Sequence, residues 1–277
     1  MEEQDFERKA PSGGELTVEK AIANLLQKED LGLRYYAAWW LGRFRVKDQT
    51  AIDALLLALK DEEDRAPDGG YPLRRNAARA LGKLGNEKAI LPLIKCLASP
   101  DFYVREAAAQ ALEMLGAKTA IPHLRELLSG GVEAAQQFPG KPHLVQPYEA
   151  IIEALGTLKA LEAQDLIKPF LEHFAPKVRF AAARAMYQLT ETPFYGEFLI
   201  KALDENNLQL RRSALMDLGA IGYLPAGEAI AATKAENSLK LISLKGLLEF
   251  QLKSINSKAR ELSPESLQIM ELMDRLL

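Results

Sequence analysis

Residues 99–116 read SPDFYVREAAAQALEMLG, and this stretch decides the fold because the chain repeats it. Residues 33–42 (LRYYAAWWLG), 73–82 (LRRNAARALG), 178–186 (VRFAAARAM) and 210–219 (LRRSALMDLG) keep its order of apolar residue, arginine, small residues and a closing leucine or methionine. A weaker copy at 148–156 (YEAIIEALG) has Tyr148 in the arginine's place, and a degenerate seventh begins near Leu239. The arginine column falls at 34, 74, 105, 148, 179 and 211, giving spacings of 40, 31, 43, 31 and 32. The unit is therefore 31 or 32 residues long, with insertions of about 9 and about 12 residues in two copies.

Upstream of each copy lies a second amphipathic pattern. Residues 51–59, 89–97 and 198–203 place apolar side chains at i, i+3, i+4 and i+7, the spacing of one helix face. Gly85, Gly116 and Gly222 stand just past the second helices, where a left-handed cap is wanted. No alternating β-branched run asks to be a strand. A two-helix unit this short cannot bury its apolar face alone, so neighbours must stack, and the alanines of the second helices permit close approach. The pattern predicts an all-α, right-handed, crescent-shaped α-solenoid of six to seven helix pairs. It assigns a flexible tail to 1–14, the stack to 15–256, and to 257–277 a helix that caps the last repeat or docks a partner.

Composition narrows the function. Lys plus Arg number 35 against 38 for Asp plus Glu, a net charge of −3 that gives no general pull on nucleic acid. No run of about 18 apolar residues spans a membrane. The acidic opening MEEQDFERKAPSGGE is no secretory leader, and Cys96, the single cysteine, excludes an internal disulfide. A cytosolic or equally reducing compartment is expected. The three histidines (His123, His143, His173) lack zinc spacing with Cys96, so no metal site is expected, and Cys96 reads as a small core residue. No phosphate loop or nucleophile elbow occurs.

The arginines, recurring once per repeat, read as a ladder that supports the scaffold. The departures from the repeat carry more information. The Tyr35 column holds Arg75, Glu106, Glu149, Phe180 and Arg212 elsewhere, and the Trp39 column Arg79, Gln110, Glu153, Arg184 and Met216, so both columns face solvent. Tyr36 and Trp40 replace small residues or Asn76 and are expected to pack inward. Tyr35 and Trp39, four apart, share a helix face. They either cap the first repeat or form a platform. With the arginines at 75, 79, 184 and 212 nearby, such a platform suits a flat, conjugated, anionic ligand, rings stacking and guanidiniums taking carboxylates. The insertions at 61–72 and 129–147 lie between the two helices of a unit, on one edge, and their Pro and Gly content argues for ordered turns without helix. Asp68, Tyr71 and His143 are their candidate contacts, each also readable as a plain surface loop residue. At the C-terminus, Ser263-Pro264-Glu265 starts a helix with an apolar face.

The SPDxxVRxxAxxAL pattern at 99–112 with Leu115-Gly116 resembles the short HEAT-like repeats named after phycobilisome lyases. Residues 33–42 together with DGGYPLRRNA at 68–77 are closely similar to one family, the E subunits of heterodimeric E/F-type phycocyanobilin lyases. The resemblance implies a lyase subunit that pairs with an F subunit and attaches phycocyanobilin through a thioether to a cysteine of the phycocyanin α chain. The attacking thiol then belongs to the substrate protein. Phycocyanobilin is a transferred substrate, no cofactor stays bound, and the setting is the cyanobacterial cytoplasm. In this reading Tyr35 and Trp39 stack on the pyrroles, Arg75 and Arg79 meet the propionates, and Asp68 takes the pyrrole N–H groups. Tyr71 belongs to the same site, with His143, Tyr148 and Arg184 as weaker candidates. The E subunit of the phycoerythrocyanin lyase-isomerase and a non-enzymatic scaffold for phycobiliproteins are the alternatives.

Overall fold

The computed structural model describes residues 16–254 and 262–277, so the expected tail at 1–14 and the junction at 256/257 lie outside the described residues. Helices come in pairs. The first pair is α1 (Val18–Leu26) and α2 (Leu31–Arg43), the second α3 (Gln49–Ala58) and α4 (Pro72–Leu84), the third α5 (Ile90–Cys96) and α6 (Phe102–Met114). In the fourth, α7 (Ile121–Leu127) is followed by a single turn, α8 (Gly131–Ala134), and by α9 (Tyr148–Thr157). In the fifth, α10 (Gln164–Ile167) runs on as a 3-10 segment, Lys168–Glu172, before α11 (Pro176–Thr190). Then come α12 (Pro193–Lys201) with α13 (Leu208–Ile221), α14 (Gly227–Ala232) with α15 (Asn237–Ser254), and α16 (Pro264–Asp274). Seven pairs thus follow one another among the described residues, which hold no strand beyond one isolated bridge, Gln137 to Leu144.

The chain divides into two compact units. One runs through Leu127 and takes in Gln136–Ala154; the other comprises Leu128–Ala135 and everything from Leu155. In the first unit α2, α4 and α6 pack side by side over a core of Leu41, Leu73, Leu81, Leu112 and their alanines. Aspartates start α2 and α6: the Asp30 side chain accepts the Leu33 N–H, and Asp101 accepts that of Tyr103. In the second unit α11, α13 and α15 repeat the arrangement around Met186, Leu215, Leu218 and Leu244. There the His173 Nε2–H donates to the Ala135 carbonyl (2.8 Å) while Nδ1 accepts from the Ala175 N–H (3.0 Å), holding the 128–135 segment to the start of α11.

The arginine column does one job. Guanidiniums turn back onto main-chain carbonyls: Arg34 onto Leu25 in the last turn of α1, and, in the turn between the two helices of a pair, Arg105 onto Ser99 and Pro100, Arg179 onto His173 and Phe174, and Arg211 onto Glu205 and Asn206. The Leu25 carbonyl stands at the negative end of the α1 dipole, and the turn carbonyls, which no helix ladder pairs, gain the donors of the guanidinium fork. Several also reach the following repeat. Arg34 pairs with Asp61 (2.6 Å), Arg105 donates to Val145 O (2.8 Å), and Arg211 to Lys234 O (3.0 Å). In α15, Lys240 takes the arginine's part, its Nζ donating to Ala231 O at 3.0 Å.

Glycines at the far ends of the second helices set the spacing. A Cβ on Gly42 would lie 2.7 Å from the Ala80 Cα, and one on Gly82 2.8 Å from the Ala111 Cα; in the second unit Gly156 faces Ala185 at 2.6 Å. The obstacle in each case is backbone, which cannot swing aside. Gly82→Ala is therefore expected to destabilise by about 1–3 kcal/mol although alanine favours helix, read as a lower urea midpoint.

Three expectations are corrected. The 129–147 insertion does contain a helical turn, because the stretch Val132-Glu133-Ala134 after Gly131 (φ 62°) carries no breaker. Phe180 is buried (2% exposed) although its column is charged in other repeats, since a phenyl ring gains nothing from water. Tyr36 and Trp40 are only half-buried: Tyr36 covers Trp39 and Trp40 covers Phe44, ring on ring along α2, in place of a covering helix.

Candidate functional site

Two insertions and the start of α6 meet in the first unit. The 61–71 loop ends in Asp68, Gly69 (φ 91°), Gly70 and Tyr71. The Tyr71 N–H donates to Asp101 Oδ2 at 2.6 Å, so one aspartate caps α6 and also fixes the start of α4. The Tyr71 ring lies against two guanidiniums, Arg65 at 3.9 Å and Arg74 at 4.0 Å from its centroid. The second insertion doubles back as a short hairpin. Val145 N–H bonds Gln136 O, Phe138 N–H bonds His143 O, and Gly140 (φ 72°) makes the turn. Lys141 at its tip reaches Asp68 of the first insertion (3.6 Å), and Arg105 holds its return arm.

The hairpin delivers His143 onto α6. Its imidazole stacks on Phe102 (4.1 Å, 14° between planes) and meets the edge of Tyr103 at 5.7 Å, with Phe138 at 5.8 Å. The Arg75 guanidinium of α4 lies 5.0 Å from the Tyr103 centroid, and its Nε is buried without a hydrogen bond. Burial raises the Tyr103 phenol above its ordinary range; Arg75 opposes this, while Glu106, Asp68 and Asp101 add to it. Arg79, one turn along α4, pairs with Glu106 at 3.8 Å. On the other side of α4, Trp39 is 44% exposed and stacks on Tyr36 (5.5 Å, 30°). Tyr35 is half-buried, and its carbonyl accepts from the Asn76 side chain of α4. The arginine row of α4 thus runs between two aromatic groups, one on α2 and one at the α6 hairpin junction.

Six sequence candidates, Trp39, Asp68, Tyr71, Arg75, Arg79 and His143, fall on this face or its rim, with Tyr35 beside them. Tyr148 does not join them: it is 3% exposed, and burial raises its phenol. Arg184 belongs to the second unit, where it pairs with Asp217 (3.5 Å) and Thr157 (3.5 Å); Arg212, also there, pairs with Glu236. Sequence reading missed Phe102, Tyr103 and Phe138. Phe102 stands three residues before its arginine, the column occupied by Tyr71 one repeat earlier, and that coincidence was the available signal.

Cys96 is half-buried rather than fully in the core, and burial pushes its thiol up to about 11, so it stays protonated near neutrality. No group of three metal-ligating side chains occurs among the described residues, and no described helix is long and apolar enough to cross a membrane.

Comparison with known proteins places the chain in a family. Residues 33–61 match the PBS lyase HEAT-like repeat and residues 64–135 the HEAT repeats. The chain is 65% identical over 261 residues to a phycocyanobilin lyase subunit alpha of Picosynechococcus sp., covering 94% of this chain and 96% of that protein. A bilin biosynthesis protein, PecE of Mastigocladus laminosus, is 48% identical, with 84% and 82% covered. The solved complex of CpcE and CpcF of phycocyanin lyase from Nostoc sp. contains a chain that matches with a TM-score of 0.90 and 63% identity, 98% of each covered. Identity at this level, sustained from end to end and matched in the backbone, means that the chain belongs to the phycocyanobilin lyase subunit alpha family.

Proposed function

We propose that the chain is the α-type subunit of a bilin lyase that, with an F-type partner, attaches phycocyanobilin by a thioether bond to a cysteine of the phycocyanin α chain. The observation that carries this reading is the near-complete match to phycocyanobilin lyase α subunits, against a lower match to PecE. The chemistry agrees with it. The nucleophile is the substrate protein's thiol, so this subunit needs no reactive cysteine, and Cys96 is a protonated thiol. Its task is to hold an open-chain tetrapyrrole so that the ring A ethylidene carbon meets that sulfur, and positioning of this kind can supply up to roughly 7–11 kcal/mol. The face on α2, α4 and the hairpin has the means. Tyr35, Trp39, Tyr36 and Tyr103 offer ring surfaces, Arg75 and Arg79 offer cations to the propionates, and Asp68 and Tyr71 close the rim. Phycocyanobilin enters and leaves as substrate, no cofactor is retained, and the reaction belongs in the cytoplasm of a cyanobacterium.

Mixing the chain with an F-type subunit, apo-α-phycocyanin and phycocyanobilin is expected to give a covalent, zinc-fluorescent α chain with the absorption of unisomerised bilin. An isomerised product would instead favour the lyase-isomerase reading. Bilin binding without covalent product would favour a scaffold.

A further inference from the structure

We infer that His143 is the proton carrier of the attachment reaction, an inference that rests on the lyase reading above. The His143 Nδ1 lies 2.7 Å from the Leu144 carbonyl oxygen, which can only accept, so Nδ1 bears the hydrogen. The neutral ring then keeps its lone pair on Nε2, and the Nδ1 bond to Leu144 is the hydrogen bond that holds this imidazole. Stacking on Phe102 at 4.1 Å and the hairpin beneath fix the plane of the ring, while the edges of Tyr103 and Phe138 bound it. The imidazole is therefore oriented twice over, once by its own backbone and once by a phenyl face, with one nitrogen left over. The ring stands beside Tyr103, on which Arg75 lies.

The reaction requires such a group. A substrate cysteine is largely a thiol near neutrality, and its sulfur must be deprotonated to attack. Nε2 takes the S–H proton as the sulfur's electron pair forms the C–S bond at the ethylidene carbon. The π pair of that double bond moves to the adjoining ring A carbon, and the imidazolium returns the proton there. The sum is addition of S–H across one double bond, with no oxidant or reductant. Histidine suits both halves because one imidazole nitrogen can take a proton and then give it back.

The test uses the complex with the F-type subunit, apo-α-phycocyanin and phycocyanobilin. His143→Ala should keep the red-shifted absorption of bound bilin and slow covalent attachment by about 100-fold or more, and added imidazole should recover part of the loss. His143→Phe, which preserves the stack on Phe102, should be as slow and indifferent to imidazole. Attachment by His143→Ala within a few-fold of wild type overturns the proposal. So does a slow His143→Ala that imidazole leaves unchanged, or a His143→Phe variant that works normally. If the wild-type complex attaches no bilin at all, the lyase reading itself has failed, a result distinct from any of these.

Discussion

With Trp39 and Arg75 both replaced by alanine, bilin transfer by the subunit pair is expected to fall by at least about 100-fold, with helicity and partner binding unchanged. The two side chains sit on neighbouring helices of the first unit, and neither holds the scaffold: Trp39 leans on Tyr36, and Arg75 on Tyr103. Removing them takes away one ring surface and one propionate anchor, which lets the tetrapyrrole shift, and a displacement of about 1 Å at a reacting centre can cost about 100-fold. Arg75→Lys separates anchor from mere charge. A lysine keeps the cation but loses the planar fork and the stack on Tyr103, so it should recover little. Single-turnover transfer, with circular dichroism and size-exclusion chromatography on the same samples, reads all three properties. Transfer within a few-fold of wild type in the double variant would remove the bilin from this face.

The largest effect on stability is expected at Asp61. Arg34 (8% exposed) and Asp61 (9% exposed) form a buried pair at 2.6 Å. The same carboxylate accepts the Asp64 N–H, and the Asp61 carbonyl accepts from Arg74. Asp61→Leu leaves the Arg34 cation in the interior, its remaining ion pair being that with the half-exposed Glu63 at 3.5 Å, at a cost of about 3 kcal/mol or more. Adding Arg34→Met should restore part of that, because a buried pair replaced by two apolar side chains is far less harmful than one stranded charge. Urea unfolding of the four proteins closes the cycle. Equal stability of the single and double variants would mean that Arg34 is satisfied without Asp61.

Much of the fold was legible because each repeat carries its own signals: the arginine, the alanines and the closing glycine recur in fixed columns. The candidate site was legible in part. Arg75, Arg79 and Trp39 stood out as side chains in solvent-facing columns. The pairing of Trp39 with Tyr36 rather than Tyr35 was not foreseen, because residues three apart on a helix are neighbours as much as residues four apart. Phe102 and Tyr103 were missed for a different reason. They lie at the turn between helices, where the repeat carries little pattern, and their role comes from a hairpin some forty positions onward whose landing place no local rule fixes. Lys240 escaped notice because the last repeat exchanges guanidinium for ammonium while keeping the bond to a helix-end carbonyl.

The rungs formed by Arg105, Arg179 and Arg211 end on main-chain oxygens. An amide oxygen has no proton to gain in mild acid, and a guanidinium none to lose in mild base, so these joints are indifferent to acidity. The first two rungs, Arg34 with Asp61 and Arg74 with Glu62, add side-chain carboxylates to the joint. Those first joints depend on where two side chains settle, while the later ones are tied to the course of the main chain itself and follow it wherever the stack goes.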